Sequence, residues 1–276
     1  MQIPTNEEYT AALTDLNDLI KGAFQLSVWL TKLTGDARKQ IASILFAKIS
    51  LCALSITKLL PPDAKPHVAQ QIERERFCDV SSIASLCRNL IEASNRLFYF
   101  AVEQISEDEA KMRLQIYEYY GVCAQKAILK FLNGSEETLN ELGDELDRLK
   151  AEFEASAVFQ KLPTRIRRRI LDGKQGEALS QPEIAKRRGR SEQAFRADYK
   201  YLSSHIHSDA FSLVDLALGK AGGAMTDKTR ERLVRMMRET TNYLALTVLD
   251  MNSLFPQFKM TKAGLQKARS FVERLR

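Results

Sequence analysis

The 276-residue chain is poor in the residues that mark familiar chemistry, with four cysteines, three histidines and one tryptophan. Cys52, Cys78, Cys87 and Cys123 share no Cys-x2-Cys spacing, and His67, His205 and His207 stand at no ligand spacing to them. A structural zinc site gathers its donors through such spacings, so no metal site is legible. The thiols read instead as small buried apolar residues of a reducing compartment. Glycine and proline are also sparse, and "GKAGGAM" (219–225) lacks the GxxxxGK[ST] form of a phosphate loop. No GxGxxG, GxSxG or HExxH occurs. Nucleotide loops, nucleophile elbows and zinc-peptidase helices are thereby excluded, and no cofactor is expected.

Long uninterrupted apolar segments are missing too. The run "ILFAKISLCALSI" (44–56) is broken by Lys48 and reads as too short to cross a bilayer. The opening "MQIPTNEEYT" is acidic rather than basic, so no signal peptide is expected. The expectation is a cytoplasmic protein without a membrane partner.

The chain does have helical periodicity throughout. Nearly every segment repeats apolar residues three and four positions apart, and none alternates strictly enough for a strand. Short polar side chains suited to accept from the free amides of a first turn stand at Thr5/Asn6, Asp36, Asp79, Ser106, Ser135, Ser180, Ser191 and Thr226. The stretch "SEDE" places Glu109 as a capping-box partner of Ser106. Breaks fall at Gly35, "PPDAKP" (61–66), "NGS" (133–135), Pro163, "DGKQGEALSQP" (172–182) and 219–225. The fold class is all-α, an antiparallel helical bundle with peripheral helices at both ends, at about 5–60 and 226–276. Residues 1–276 read as a single all-helical unit.

The formal charge of +6 is local. Residues 161–200 hold 12 Lys and Arg against 5 Asp and Glu, which leaves the rest of the chain nearly neutral. The basic segment 164–200, with Arg167, Arg168, Arg187, Arg188 and Arg196, suits an RNA or DNA backbone or an acidic partner, or forms a solvated basic face.

Two helices carry unusual polar stripes. In "DVSSIASLCRNLIEASNRLFYFAVEQI" (79–105), Arg88, Glu92, Asn95 and Tyr99 fall within about 60° of one another on a helical wheel, opposite a broad apolar arc. That column either faces water or, through the Arg88–Glu92 pair, faces a second polar helix across a cleft. In "DYKYLSSHIHSD" (198–209), Tyr199, Ser203 and His207 form the matching column, rising about 12 Å beside an apolar face of Phe195, Leu202, Ile206 and Leu213. Either they line a ligand site, or they sit at a boundary with Ser203 bonded to its own helix. His205 points elsewhere, toward the surface or an interface.

The segments "SIASLCRNLIEA" and "YKYLSSHIHSD" resemble an uncharacterised bacterial all-helical domain-of-unknown-function family with Arg-x3-Glu in one helix and Tyr-x3-Ser-x3-His in a later one. The matching positions are Arg88, Glu92, Tyr199, Ser203 and His207, and the likeness covers about 75–215. Such proteins are distantly similar to HEPN-type bundles, many of which cleave RNA without metal through an Arg-x4-6-His motif. Here no Arg stands four to six residues before His205 or His207, and Arg88 would supply the guanidinium from another helix. The resemblance implies a metal-independent endoribonuclease, with His207 and Tyr199 moving protons, Arg88 beside the phosphate, Ser203 orienting and Glu92 holding Arg88, or a degenerate nucleic-acid-binding relative.

Two further readings compete. "SQPEIAKRRGRSEQAFRADYKYL" (180–202) resembles a helix-turn-helix that reads DNA, with Ala185 and Gly189 four apart at the turn. A non-catalytic interaction subunit is the other, a homo-oligomer or a partner-bound protein docking through the helices at 5–33 and 226–251.

Overall fold

The computed structural model describes residues 3–30, 35–62, 78–206, 210–218, 225–258 and 262–273, and within them the chain is all-α. Twelve α-helices are described: α1 (Asn6–Leu30), α2 (Ala37–Leu59), α3 (Val80–Leu97), α4 (Glu107–Phe131), α5 (Glu136–Glu154), α6 (Ala157–Gln160), α7 (Thr164–Leu171), α8 (Gln181–Arg187), α9 (Glu192–Ile206), α10 (Ala210–Leu218), α11 (Asp227–Leu254) and α12 (Lys262–Glu273). Their starts obey local chemistry. Asp36, Asp79, Ser106, Ser135 and Thr226 each accept the backbone amide three residues on, which satisfies a donor the helix cannot pair internally. The reciprocal capping box closes at the head of α1, where the Thr5 amide donates to Glu8 at 2.8 Å and the Glu8 amide donates to Thr5 Oγ1 at 3.2 Å. At Ser106 the carboxylate of Glu109 is engaged by Arg113 at 2.5 Å.

The chain divides into two compact units. The first comprises residues 1–102 and 181–276, the second 103–180. In the first unit α2 packs along α3, and α11 packs along both α1 and α3. The helices from both ends of the chain thus pack together in this unit. Tyr9, Leu16 and Leu26 of α1 and Leu233, Met237, Leu244 and Val248 of α11 are fully buried, because both helices present apolar stripes that pack on each other and on α2, with α3 and α12 also against α11. The hydroxyl of Tyr9 ties the start of α1 to the end of α2 by donating to the Pro61 carbonyl at 2.7 Å.

After Leu97 the helix widens into a π-helical turn, Phe98–Val102. Such a turn leaves carbonyls without their usual partners. Arg38 of α2 supplies donors, from Nε to Phe100 O at 3.1 Å and from Nη2 to Ala101 O at 3.0 Å. Tyr99, within the widened turn, is buried.

The second unit is an α4–α5 hairpin with α6 and α7 against it, around a core of Met112, Ile116, Tyr119, Leu149, Phe153, Phe159 and Ile170. Arg113 is buried there and is neutralised by Glu103 at 2.6 Å and Glu109 at 2.5 Å. Tyr119 donates to the Leu171 carbonyl at 2.9 Å, and burial pushes its phenol up to about 12.

Two element boundaries differ from the sequence expectation. The apolar run at 44–56 extends into the 23-residue α2, and among the described residues α2 is the one helix long and apolar enough by composition to cross a membrane. The helix containing Tyr199 is described as far as Ile206, and Leu213 belongs to α10, where it is exposed rather than part of the α9 apolar face.

Candidate functional site: the α3–α9 contact

The site is built on two helices that pack because each has a wide apolar face. Ile83, Cys87, Leu90 and Ile91 of α3 are buried, as are Phe195 and Leu202 of α9. At the edge of that contact the polar residues meet. Arg88 Nε donates to Glu92 Oε1 at 2.8 Å, Arg88 Nη2 donates to the Tyr199 hydroxyl at 2.7 Å, and that hydroxyl donates to the same Glu92 oxygen at 2.5 Å. The three groups close a ring, so none can turn without breaking two hydrogen bonds. The guanidinium also lies 4.6 Å from the Tyr199 ring centroid, and the Phe195 ring stacks on that of Tyr199 at 5.5 Å between centroids.

The electrostatics reflect this geometry. Burial disfavours the Arg88 charge, but Tyr199 and Glu92 outweigh that cost and raise its pKa further. Burial, then Glu92, raises the Tyr199 phenol above its ordinary value despite the opposing Arg88, so it is protonated at neutral pH. Arg96, one turn beyond Glu92, approaches the second carboxylate oxygen at 3.9 Å. Arg96 is absent from the site expected from sequence, although its i,i+4 spacing from Glu92 is the signal that would find it.

The column in α3 does not run on into water. Arg88 and Glu92 keep about a fifth of their side chains exposed, whereas Asn95 and Tyr99 are buried. Asn95 Nδ2 donates to Gln181 Oε1 of α8 at 3.1 Å, and its Oδ1 has no hydrogen-bond partner among the described residues. On α9, Ser203 is half-buried one turn beyond Tyr199. His207 lies outside the described residues. His205 is buried rather than at the surface, with its ring 5.0 Å from that of Tyr201 in an edge-on arrangement.

The arginines of the basic segment separate by environment. Arg188 donates to Ser94 at 2.7 Å and to Asp250 at 2.5 Å with a side chain only 3% exposed, so it serves the core. Arg190, which is not among the arginines singled out from sequence, pairs with Glu239 at 3.1 Å and lies 5.1 Å from the Tyr243 ring centroid. Burial raises the carboxyl pKa of both Glu239 and Asp250 against the pull of their arginines. These two pairs pin the α8–α9 turn onto α3 and α11. In that turn Gly189 has φ +87° and the Arg190 amide caps α8 by donating to Ala185 O at 3.0 Å. Asp198 pairs with Arg235 of α11 at 2.5 Å. Arg187 and Arg196 are exposed, the latter bound to Glu192 at 2.8 Å. In the second unit Arg168 is exposed, while Arg167 is half-buried and donates to Gln160 at 2.7 Å.

Comparisons of the chain with protein-family models, with curated proteins and with solved structures found no match. Among the described residues no three His, Cys, Asp or Glu side chains converge as metal ligands.

Proposed function

We propose that the protein acts on single-stranded RNA at the α3–α9 face as a metal-independent endoribonuclease of HEPN-like type. The observation that supports this reading is the contact of Arg88 with Tyr199 at 2.7 Å, which brings residues from the two distant motifs together. In the reaction a base takes the proton of a 2′-hydroxyl, the freed oxygen attacks phosphorus, and the 5′-oxygen leaves with a proton from an acid. The products carry a 2′,3′-cyclic phosphate and a 5′-hydroxyl. His207 is the base, since an imidazole changes charge near neutral pH. Tyr199, held protonated, is the acid, and the adjacent guanidinium stabilises both its phenolate and the phosphorane oxygens. Glu92 positions Arg88 and Ser203 orients the substrate. Exposed Arg187 and Arg196 bind phosphates along the strand, and exposed Arg168 of the second unit is a phosphate ligand in its own right. The test is cleavage of single-stranded RNA in EDTA: the wild type cuts, and Arg88→Ala does not. Cleavage that is unaffected in Arg88→Ala would remove the site from the reaction.

One observation favours a second reading, that of an interaction subunit. Ile128, Phe131 and Leu132 at the α4–α5 turn are 58%, 88% and 70% exposed, more apolar surface than a loop tip ordinarily presents.

A further inference from the structure

Helices α1, α11 and α12 enclose a cleft of about 410 Å³, at the small end of ligand pockets. Its polar lining comes from Glu8 and Asp15 on α1 and from Arg238, Thr241 and Asn242 on α11, with Phe271 of α12 as an apolar wall. The helical spacing explains the convergence. Positions 8 and 15 are two turns apart on one face of α1, with Ala11 and Ala12 between them as a floor. Positions 238, 241 and 242 share the opposing face of α11.

Three of these groups are under-used by the protein itself. Among the described residues Arg238 is held only by Glu8 at 3.6 Å, and the other Glu8 oxygen already accepts the Thr5 amide. Asp15 is the looser partner of Lys267, 3.3 Å away against 2.6 Å for Asp18. Thr241 is 97% buried, lines the cleft, and its Oγ1 has no hydrogen-bond partner among the described residues. An isolated buried hydroxyl lowers stability, so replacing it by a methyl group would relieve a cost.

We infer that this cleft binds a small zwitterion of the α-amino-acid class with an apolar side chain. The carboxylate lies against Arg238 and accepts from Thr241 once that hydroxyl, closed to solvent in the ligand-free protein, turns into the cleft, the ammonium faces Asp15, and the side chain packs on Ala11, Ala12 and Phe271. The lining selects for both charges together. An amine alone gains Asp15 but leaves Arg238 with Glu8 as its partner and makes no contact with Thr241, and a carboxylate alone faces Glu8 and Asp15.

The test uses the full chain in thermal melts and titration calorimetry with glycine, alanine, valine, leucine and methionine at about 10 mM. Controls are 3-methylbutylamine and 4-methylpentanoate, the analogues of leucine lacking one charged group each. At least one of the apolar amino acids raises Tm by about 2 °C or more, and neither control does. Arg238→Gln weakens that binding at least about tenfold. Thr241→Val weakens it too, while the ligand-free variant melts no lower than the wild type. Three results would overturn the proposal: no shift from any amino acid, an equal shift from the amine or the acid alone, or undiminished binding by Thr241→Val.

Discussion

Arg88 on α3 donates a 2.7 Å hydrogen bond to the hydroxyl of Tyr199 on α9, across 111 positions of sequence, and Glu92 accepts from both. The ring is a packing element as well as a candidate site. In a double-mutant cycle of Arg88→Ala and Tyr199→Phe read by urea unfolding, the coupling is about 1–2 kcal/mol, the range of a hydrogen bond to a charged group. Additive effects would mean that the contact is not formed in solution.

The buried pairs behave differently from the exposed arginines. Arg188→Ala leaves Asp250 as an uncompensated half-buried carboxylate and lowers stability by about 3 kcal/mol. Arg168→Gln and Arg187→Gln change stability by less than about 1 kcal/mol. Those two variants weaken RNA binding at low salt and flatten its salt dependence. Filter binding across a salt series checks this, and a salt slope identical to the wild type would take both residues off the RNA path.

Glu239 and Asp250 give a pH dependence of defined sign. Their folded pKa values are raised by burial, so the folded protein holds these protons to higher pH than the unfolded chain does. Stability from these groups therefore falls as pH rises from about 4 through their folded values. Relative to a Glu239→Gln, Asp250→Asn double variant, the wild type loses melting temperature over that window. Parallel Tm curves against pH would contradict the assignment.

Gly189 occupies a conformation that is strained for any other residue because of its backbone alone. Its φ is +87°, and a Cβ there meets nothing within 4 Å. Gly189→Ala is destabilising by about 1 kcal/mol in thermal melts, with no change in the residues packed nearby. A neutral effect would mean that the α8–α9 turn relaxes freely.

The readability of these features from sequence depends on their range. Helix starts at Asp36, Asp79, Ser135 and Thr226 are legible because an N-cap involves one short side chain and the amide three residues on. The Arg88–Glu92 pair is legible for the same reason. Asn95 and Tyr99 share the Arg88 column on a helical wheel yet are buried, because elements distant in sequence, such as α8 at Gln181, cover that part of the helix. Arg188 looks like a phosphate ligand because its partner Asp250 lies 62 positions away, and nothing in a basic run says which member turns inward. The division into two units is hidden too, since α3 and α8 belong together while the intervening 103–180 builds its own core.

The most direct test compares His207→Ala with His205→Ala, measuring cleavage of single-stranded RNA in EDTA beside thermal melting. His205 is buried against Tyr201, so its removal lowers the melting temperature. His207 carries the proton in the proposed reaction, so its removal abolishes cleavage and moves the melting temperature by less than about 2 °C. A wild type that cuts no RNA, or a His207→Ala variant that cuts as well as the wild type, would contradict the ribonuclease account.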